Sequence, residues 1–433
     1  MGIWIIDGLV MQHSNNEMRK QHLFIEDGKI TKILDGNENI DTGDHQVIHA
    51  EGKLVSAGFI DMHVHLRDPG FLHKETIQSG TLSAAKGGFT TVACMPNTRP
   101  VIGDVETVNY VLNKAKEEGA VRVLPYGSIT VNELGRELTD FEALAEAGVI
   151  GFTDDGVGVQ NAQMMKHAMA RAKKINKPII AHCEDDSLVK GAPVTEGQFA
   201  TKHNLKGIPN ESEAIHVGRD ILLAEATGAH YHVCHVSTKQ SVRLIRQAKQ
   251  LGINVTAEVC PHHLLLSEQD IPGLDANWKM NPPLRSQEDV KAMIEAIEDG
   301  TIDMIVTDHA PHSKEEKEQG MELAPFGIVG LETAFPLLYT AFVKSGRWSL
   351  SFLLEKMTIA PAKVFELPYG HIQVGSEADI TIIDLEEQKQ IHPAQFVSKG
   401  SNTPFTGWNC NGWPIVTIVA GNIVWSSSTT NKE

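Results

Sequence analysis

Histidines and carboxylates recur at the ends of apolar runs along this chain of 433 residues. The first instance is Asp61-Met62-His63-Val64-His65-Leu66-Arg67. On a strand, the i, i+2 spacing of His63 and His65 turns both imidazoles to one face. Two nitrogen donors on one face, at the end of a buried strand, can begin a divalent metal site. Further along, Thr153-Asp154-Asp155-Gly156, Ala181-His182-Cys183-Glu184, Val233-Cys234-His235 and Thr307-Asp308-His309-Ala310-Pro311-His312 end other apolar runs. One histidine in such a place is more often a packed core residue. Five run ends that deliver His or Asp have no simple packing explanation, and they point to a metal centre.

The donors are nitrogen and oxygen without paired thiolates. That suits Zn²⁺ in an open catalytic site ahead of Mn²⁺, Co²⁺ or Fe²⁺. On this reading His63 and His65 hold one cation and His182 and His235 a second. Asp154 or Asp155 bridges them. Two cations about 3.5 Å apart can share a water and lower its pKa. Asp308 is placed to touch the first cation and that water, so it can accept a proton and return it to a leaving nitrogen. Its alternative role is an N-cap for the segment that follows.

A scaffold must bring these run ends together. Apolar runs fall at 54–64, 90–95, 121–128, 149–152, 178–182, 230–235, 254–259 and 302–307. Helical patterns lie between them, at 75–86, 104–118, 161–174, 212–226, 239–249 and 287–298. Eight strands alternating with helices predict an α/β fold with a parallel, TIM-type (β/α)₈ barrel, which presents functional groups at the C-terminal ends of its strands. A doubly wound sheet would carry a Gly-rich fingerprint after its first strand, and none is present. The two chain ends read as short strands, with turns at Asp27-Gly28 and Gly421-Asn422. Neither end has enough strands for a stable sheet, so both are expected to build one small β-sandwich. The expected domains are 1–54 and 365–433 for that β unit and 55–364 for the barrel. Residues 426–433 are polar and expected to fray.

Composition narrows the function. The net charge of −17 argues against a nucleic-acid partner, whose phosphates need a basic face. The chain has neither a basic leader nor a run of about 18 apolar residues, so no membrane partner is expected. Five scattered cysteines without a C-x-x-C pair predict reduced, buried thiols in a cytoplasmic protein.

The stretch Asp61-Met62-His63-Val64-His65-Leu66-Arg67-Asp68-Pro69-Gly70 resembles the signature of the dihydroorotases within the amidohydrolase superfamily. Met95-Pro96-Asn97-Thr98 and the 307–312 stretch are similar to two more of its motifs, and the likeness runs from about residue 3 to residue 424, closest to the class I bacterial type. Asp68 stands where family members usually carry Glu. The resemblance implies reversible cyclisation of N-carbamoyl-L-aspartate to (S)-dihydroorotate in pyrimidine biosynthesis, with metal-activated hydroxide attacking the cyclic amide in the reverse direction. It implies two Zn²⁺ per subunit held by His63, His65, His182, His235 and Asp308, the last also the catalytic acid/base. Many amidohydrolases bridge their metals with a carboxylated lysine. Residues 148–160 hold no lysine, and the resemblance places Asp155 there.

For substrate binding the resemblance implies His65, Arg67, Asn97, Asn281, His312 and the backbone at Phe326 and Gly327. Arg67 could fork onto the substrate carboxylate, its alternative being a surface ion pair with Asp61 or Asp68. The charged stretch 313–327 reads either as a lid ending at the site or as a solvated surface loop, and His262 and His263 are expected to pack or support rather than bind metal. The resemblance also implies a homodimer and leaves open a complex with aspartate carbamoyltransferase. The rival readings are an allantoinase- or hydantoinase-type cyclic amidohydrolase and a non-catalytic structural partner of that transferase.

Overall fold

The computed structural model describes residues 2–12 and 17–427. Of the residues expected to fray, Ser426 instead pairs with Val416 in the end sheet and Ser427 N donates to Ile415 O at 2.8 Å, while 428–433 lie outside the described residues. The two chain ends build one continuous eight-stranded sheet. Its order is Asn422–Ser426, Asn409–Val419, Ile380–Gln390, Leu54–Ala57, Ile3–Gln12, Glu17–Glu26 and Lys29–Asp35, with Gln46–His49 also pairing to Ile3–Gln12. The ends meet where Leu54–Ala57 lies antiparallel to Ile380–Gln390 and parallel to Ile3–Gln12. Ile5, Leu23, Ile25, Ile30, Val55, Ile380, Ile382 and Ile418 form the sheet's own core. Asp27 and Gly28 make the hairpin turn with φ of 50° and 76°, as Asp-Gly suits. The second expected turn falls one residue earlier, on Ala420 and Gly421.

The apolar run 54–64 is two strands, not one. Leu54–Ala57 belongs to the end sheet and Phe59–Val64 opens the barrel. Gly58 separates them, and a Cβ there would sit 2.1–2.7 Å from Thr90 side-chain atoms, so only glycine allows the crossing. The end sheet thus reaches past the boundary expected at residue 54.

The barrel follows in chain order with Phe59–Val64, Phe89–Cys94, Arg122–Pro125, residues 149–153, Ile179–Ala181, Tyr231–Val233, Val255–Val259 and Met304–Ile305. Neighbouring strands pair in parallel. The fourth position joins its neighbours through single bridges, Gly127 with Phe152 and Phe152 with Ile179. The eighth meets the first at a parallel bridge between Val64 and His309, where His65 N donates to His309 O at 2.8 Å. Ile60, Met62, Ala93, Tyr126, Ile180, Cys234 and Met304 form one buried cluster that fills the interior.

Helices lie between successive strands, and most begin on a side-chain cap, such as Thr76, Asp104, Asn161, Thr238 and Ser286. A short helix, Phe141–Ala147, was not expected from the sequence. It starts on Asp140 and ends on Gly148, and Phe141 stacks on Phe152 with ring centroids 3.8 Å apart. All five cysteines are buried and unpaired. Among the described residues no helix is long and apolar enough to cross a membrane.

Candidate metal centre

The barrel brings the expected donors together at the C-terminal ends of its strands. His63 and His65 come from strand one, with ring centroids 5.6 Å apart. Asp308, past strand eight, places Oδ1 3.1 Å from His65 Nε2 and 3.5 Å from His63 Nε2. Opposite them, His182 Nδ1 lies 3.1 Å from His235 Nε2. Asp155 sits between the two pairs. Its Oδ1 is 3.5 Å from His63, 3.9 Å from His182 and 4.0 Å from His235, and its Oδ2 is 3.5 Å from His65.

Asp154 faces elsewhere, accepting hydrogen bonds from Thr130 N at 2.9 Å and from the Thr130 hydroxyl. Of the two adjacent carboxylates, only Asp155 lies among the four imidazoles. Asp308 is not the N-cap it could have been, because its carboxylate is turned to the histidines.

The electrostatics of the cluster suit a cation. Burial works against charge on the His63 ring, yet Asp308, Glu258 and Asp155 pull its pKa up to about 10. Burial would likewise raise the Asp155 carboxyl, but His63, His65 and His182 outweigh it and hold it below the usual carboxylate range. Burial, with His182 and His63 alongside, pushes His235 well below its ordinary value, which leaves the neutral ring that ligates metals. His63 Nε2 and Asp155 Oδ1 are buried without a hydrogen-bond partner. Buried polar atoms are rarely left so, and a divalent cation between them fits both the donor chemistry and the field. The groups His63–His65–Asp308 and His63–Asp155–His235 each have donor atoms within 4.8 Å of one another.

Behind the donors lies a residue to which sequence reasoning assigned no role. Glu258, on strand seven, accepts from His63 Nδ1 at 2.6 Å and from His232 Nε2 at 3.0 Å, and its Oε1 also takes the His235 backbone N–H at 3.3 Å. Burial alone would raise this carboxyl, but His63 and His232 hold it at about 2. A carboxylate behind a ligating imidazole sets its tautomer and orientation. The available signal was an acid inside the apolar strand Val255–Val259. Asp61 does a similar job on the backbone, accepting from His63 N at 3.1 Å and from Thr307 N at 3.2 Å. His235, Asp308 and Arg67 hold φ of 29°, 48° and 61°. Such backbone costs about 1–3 kcal/mol per residue and clusters at functional sites.

The expected substrate residues form a rim beside the donors. Arg67 pairs with neither Asp61 nor Asp68. Asp68 is taken by Tyr110 Oη at 2.9 Å and Lys114 Nζ at 3.2 Å. Arg67 Nε donates to Pro311 O at 3.3 Å, and its guanidinium lies 3.2 Å from His312 Nε2. Burial lowers its pKa only to about 10, so it remains a cation at neutral pH. His312 Nε2 is 2.8 Å from Phe326 O, and burial beside Arg67, Lys74 and Lys317 keeps the ring neutral. Asn281 reaches His182 Nε2 at 3.5 Å from the other side. Asn97 is engaged within the cluster, accepting from His65 Nδ1 at 2.9 Å and donating to Asp155 Oδ2 at 3.2 Å. His263 Nε2 donates to Pro282 O at 2.9 Å, so it supports the Asn281 turn, as a packing role predicts.

The dihydro-orotase-like family profile matches residues 52–241. A dihydroorotase from Brevibacillus brevis is 58% identical over 429 residues, covering 99% of this chain and all of the relative. The chain belongs to the dihydroorotase family. A second member, the dihydroorotase of Halalkalibacterium halodurans, is 59% identical over 94% of this chain and 95% of its own length. Among solved structures the family fold extends to the L-hydantoinase (dihydropyrimidinase) of Arthrobacter aurescens. That structure has a TM-score of 0.89 and 27% identity, covering all of this chain and 97% of its own. The rival hydantoinase reading thus shares the scaffold at much lower identity than the dihydroorotases.

Proposed function

We propose that the protein is a zinc-dependent dihydroorotase of the cytoplasm that interconverts N-carbamoyl-L-aspartate and (S)-dihydroorotate. The observation that carries the substrate assignment is Arg67, a partly buried cation beside the donor cluster that donates to Pro311 O and lies 3.2 Å from the neutral His312. An anionic substrate supplies the carboxylate that such a guanidinium fits in fork geometry. Uncharged hydantoins and allantoin do not.

In this reading His63, His65 and Asp308 would hold one Zn²⁺ and His182 and His235 a second, with the Asp155 carboxylate facing both pairs. When bound, the metal would supply Lewis-acid polarisation of the amide oxygen and a lowered pKa for the attacking water. Asp308 Oδ1 takes the proton of the attacking water and delivers it to the departing ring nitrogen. In the biosynthetic direction Asp308 accepts the proton of the carbamoyl nitrogen and returns it to the oxygen that leaves as water. Arg67 anchors the carboxylate, with His312, Asn281 and the backbone of Phe326 and Gly327 completing the pocket. Asn97 keeps His65 and Asp155 oriented, which adds to its expected place at the substrate. The barrel unit then runs from Gly58 to about residue 364, and the subunits pair as a homodimer.

The test is to give purified protein dihydroorotate, hydantoin and allantoin in parallel, with metal content measured on the same sample. Turnover of dihydroorotate with two zinc ions per chain is expected. Turnover of hydantoin or allantoin without dihydroorotate overturns the substrate assignment, and full activity in metal-free protein overturns the role of the cluster.

A further inference from the structure

Lys317 lies in the charged stretch 313–327, on the short helix Lys314–Lys317. It is not exposed like its neighbours; its relative accessibility is 6%. Its Nζ donates to three backbone carbonyls, Lys279 O at 3.1 Å, Pro325 O at 3.0 Å and Gly327 O at 3.0 Å. An ammonium has three protons, and all three are used.

Those carbonyls belong to the two segments that flank the substrate rim. Lys279 precedes Asn281, which reaches toward His182. Pro325 and Gly327 enclose Phe326, whose carbonyl meets His312 and through it Arg67. The segments also touch directly, since Gly327 N donates to Lys279 O at 3.0 Å. Lys279 Nζ adds a contact over the Phe326 ring, 4.5 Å from its centroid, and donates to Glu322 O at 3.1 Å. Asn402 fastens the outer edge, donating to Ala310 O at 3.1 Å and Gly327 O at 3.0 Å. Of these groups, Lys317 is the one whose side chain bonds to both flanking segments.

We propose that Lys317 is a positioning residue for substrate binding, its charged ammonium holding the 279–281 and 325–327 segments at the spacing that closes the pocket. None of the hydrogen bonds of its ammonium goes to a residue of the donor cluster. The inference rests on the dihydroorotase reading only for the choice of substrate. Burial is the main force that lowers this lysine, and Lys279 adds to it, while Asp275 and Glu316 oppose; the pKa falls to about 7. His312 also faces it, as a neutral ring. The ammonium form is therefore lost as pH rises through about 7, and with it part of the hold on the carbonyls.

The experiment compares wild type, Lys317→Met and Lys317→Arg in dihydroorotate hydrolysis between about pH 6 and about pH 8.5. In wild type, KM is expected to rise with pH across this window. In Lys317→Met, KM should be at least ~10-fold higher at low pH and flat with pH, with kcat within about threefold and zinc content unchanged. Lys317→Arg should recover part of the low-pH KM and lose the pH dependence, because its charge persists. Wild-type KM in Lys317→Met overturns the proposal. So does joint loss of kcat, KM and zinc, which would mark a purely structural role. If Lys317→Met does not fold, Lys317→Gln takes its place, and a wild-type KM in that variant overturns the proposal. Wild type that does not turn over dihydroorotate is a failure of the functional reading, and it is seen before any variant is compared.

Discussion

Replacing Glu258 with Gln is a direct test of how the metal centre is held. The carboxylate stands 2.6 Å from His63 Nδ1 and 3.0 Å from His232 Nε2, and accepts from the backbone N–H of His235. It therefore orients one donor of each proposed zinc site. Gln keeps the volume and removes the charge. Its oxygen can still accept from His63, but its NH₂ then faces His232, whose other nitrogen contacts Thr256 Oγ1 at 2.8 Å and can exchange tautomer.

Loss of such a partner lowers metal affinity about 10–100-fold. That equals about 1.4–2.7 kcal/mol, within the range of a charged hydrogen bond, about 1.5–3 kcal/mol. Glu258→Ala should cost more, since it leaves His63 and His232 unpaired in a buried cavity. The assay is competition for Zn²⁺ against a chromophoric chelator, with thermal unfolding of the metal-free protein as the control for folding. A folded Gln variant with affinity within about twofold of wild type refutes the reasoning.

Three further outcomes are expected. Asp308→Asn removes the proton acceptor but keeps an oxygen donor, so kcat should fall ~10²–10⁴-fold while most of the zinc stays; turnover near wild type would exclude Asp308 as the acid/base. Arg67→Ala should cost about 2–5 kcal/mol in kcat/KM for dihydroorotate, and an equal loss for an uncharged amide substrate would disconnect Arg67 from the carboxylate. The Glu75 carboxyl is buried, which alone would raise it, yet His309, Ser398 and Ser79 hold it below its usual range. A lowered carboxyl pKa contributes stability that is present above the unfolded value of about 4.3 and is lost as pH falls through the folded value. Glu75→Gln should therefore flatten the acid limb of the Tm–pH curve and leave stability near pH 7 reduced. An unchanged acid limb would remove Glu75 from that account.

The proposed donors of the metal centre were readable in the chain because their chemistry is local. His63 and His65 share a strand face through a period of two. His182, His235 and Asp308 each end an apolar run, and in a parallel barrel every such end faces the same rim. The barrel itself followed from eight apolar runs alternating with helical periods, and the Asp27-Gly28 hairpin from residues that tolerate positive φ. What stayed hidden depends on contacts between distant parts of the chain. Pattern alone did not divide 54–64 at Gly58, because the reason is the approach of Thr90 from another strand. Nor could it choose Asp155 over Asp154, since adjacent residues differ only in which neighbour each side chain meets, here four imidazoles or Thr130. Glu258 looked like one acid in an apolar strand until folding placed His63, from 195 positions away, against it. Lys317 reads as one more charge in a polar stretch, and only the meeting of residues 279 and 325–327 around it makes it a buried cation. Spacing determines which face or strand end carries a group; burial and the partners across the fold determine its charge and its use.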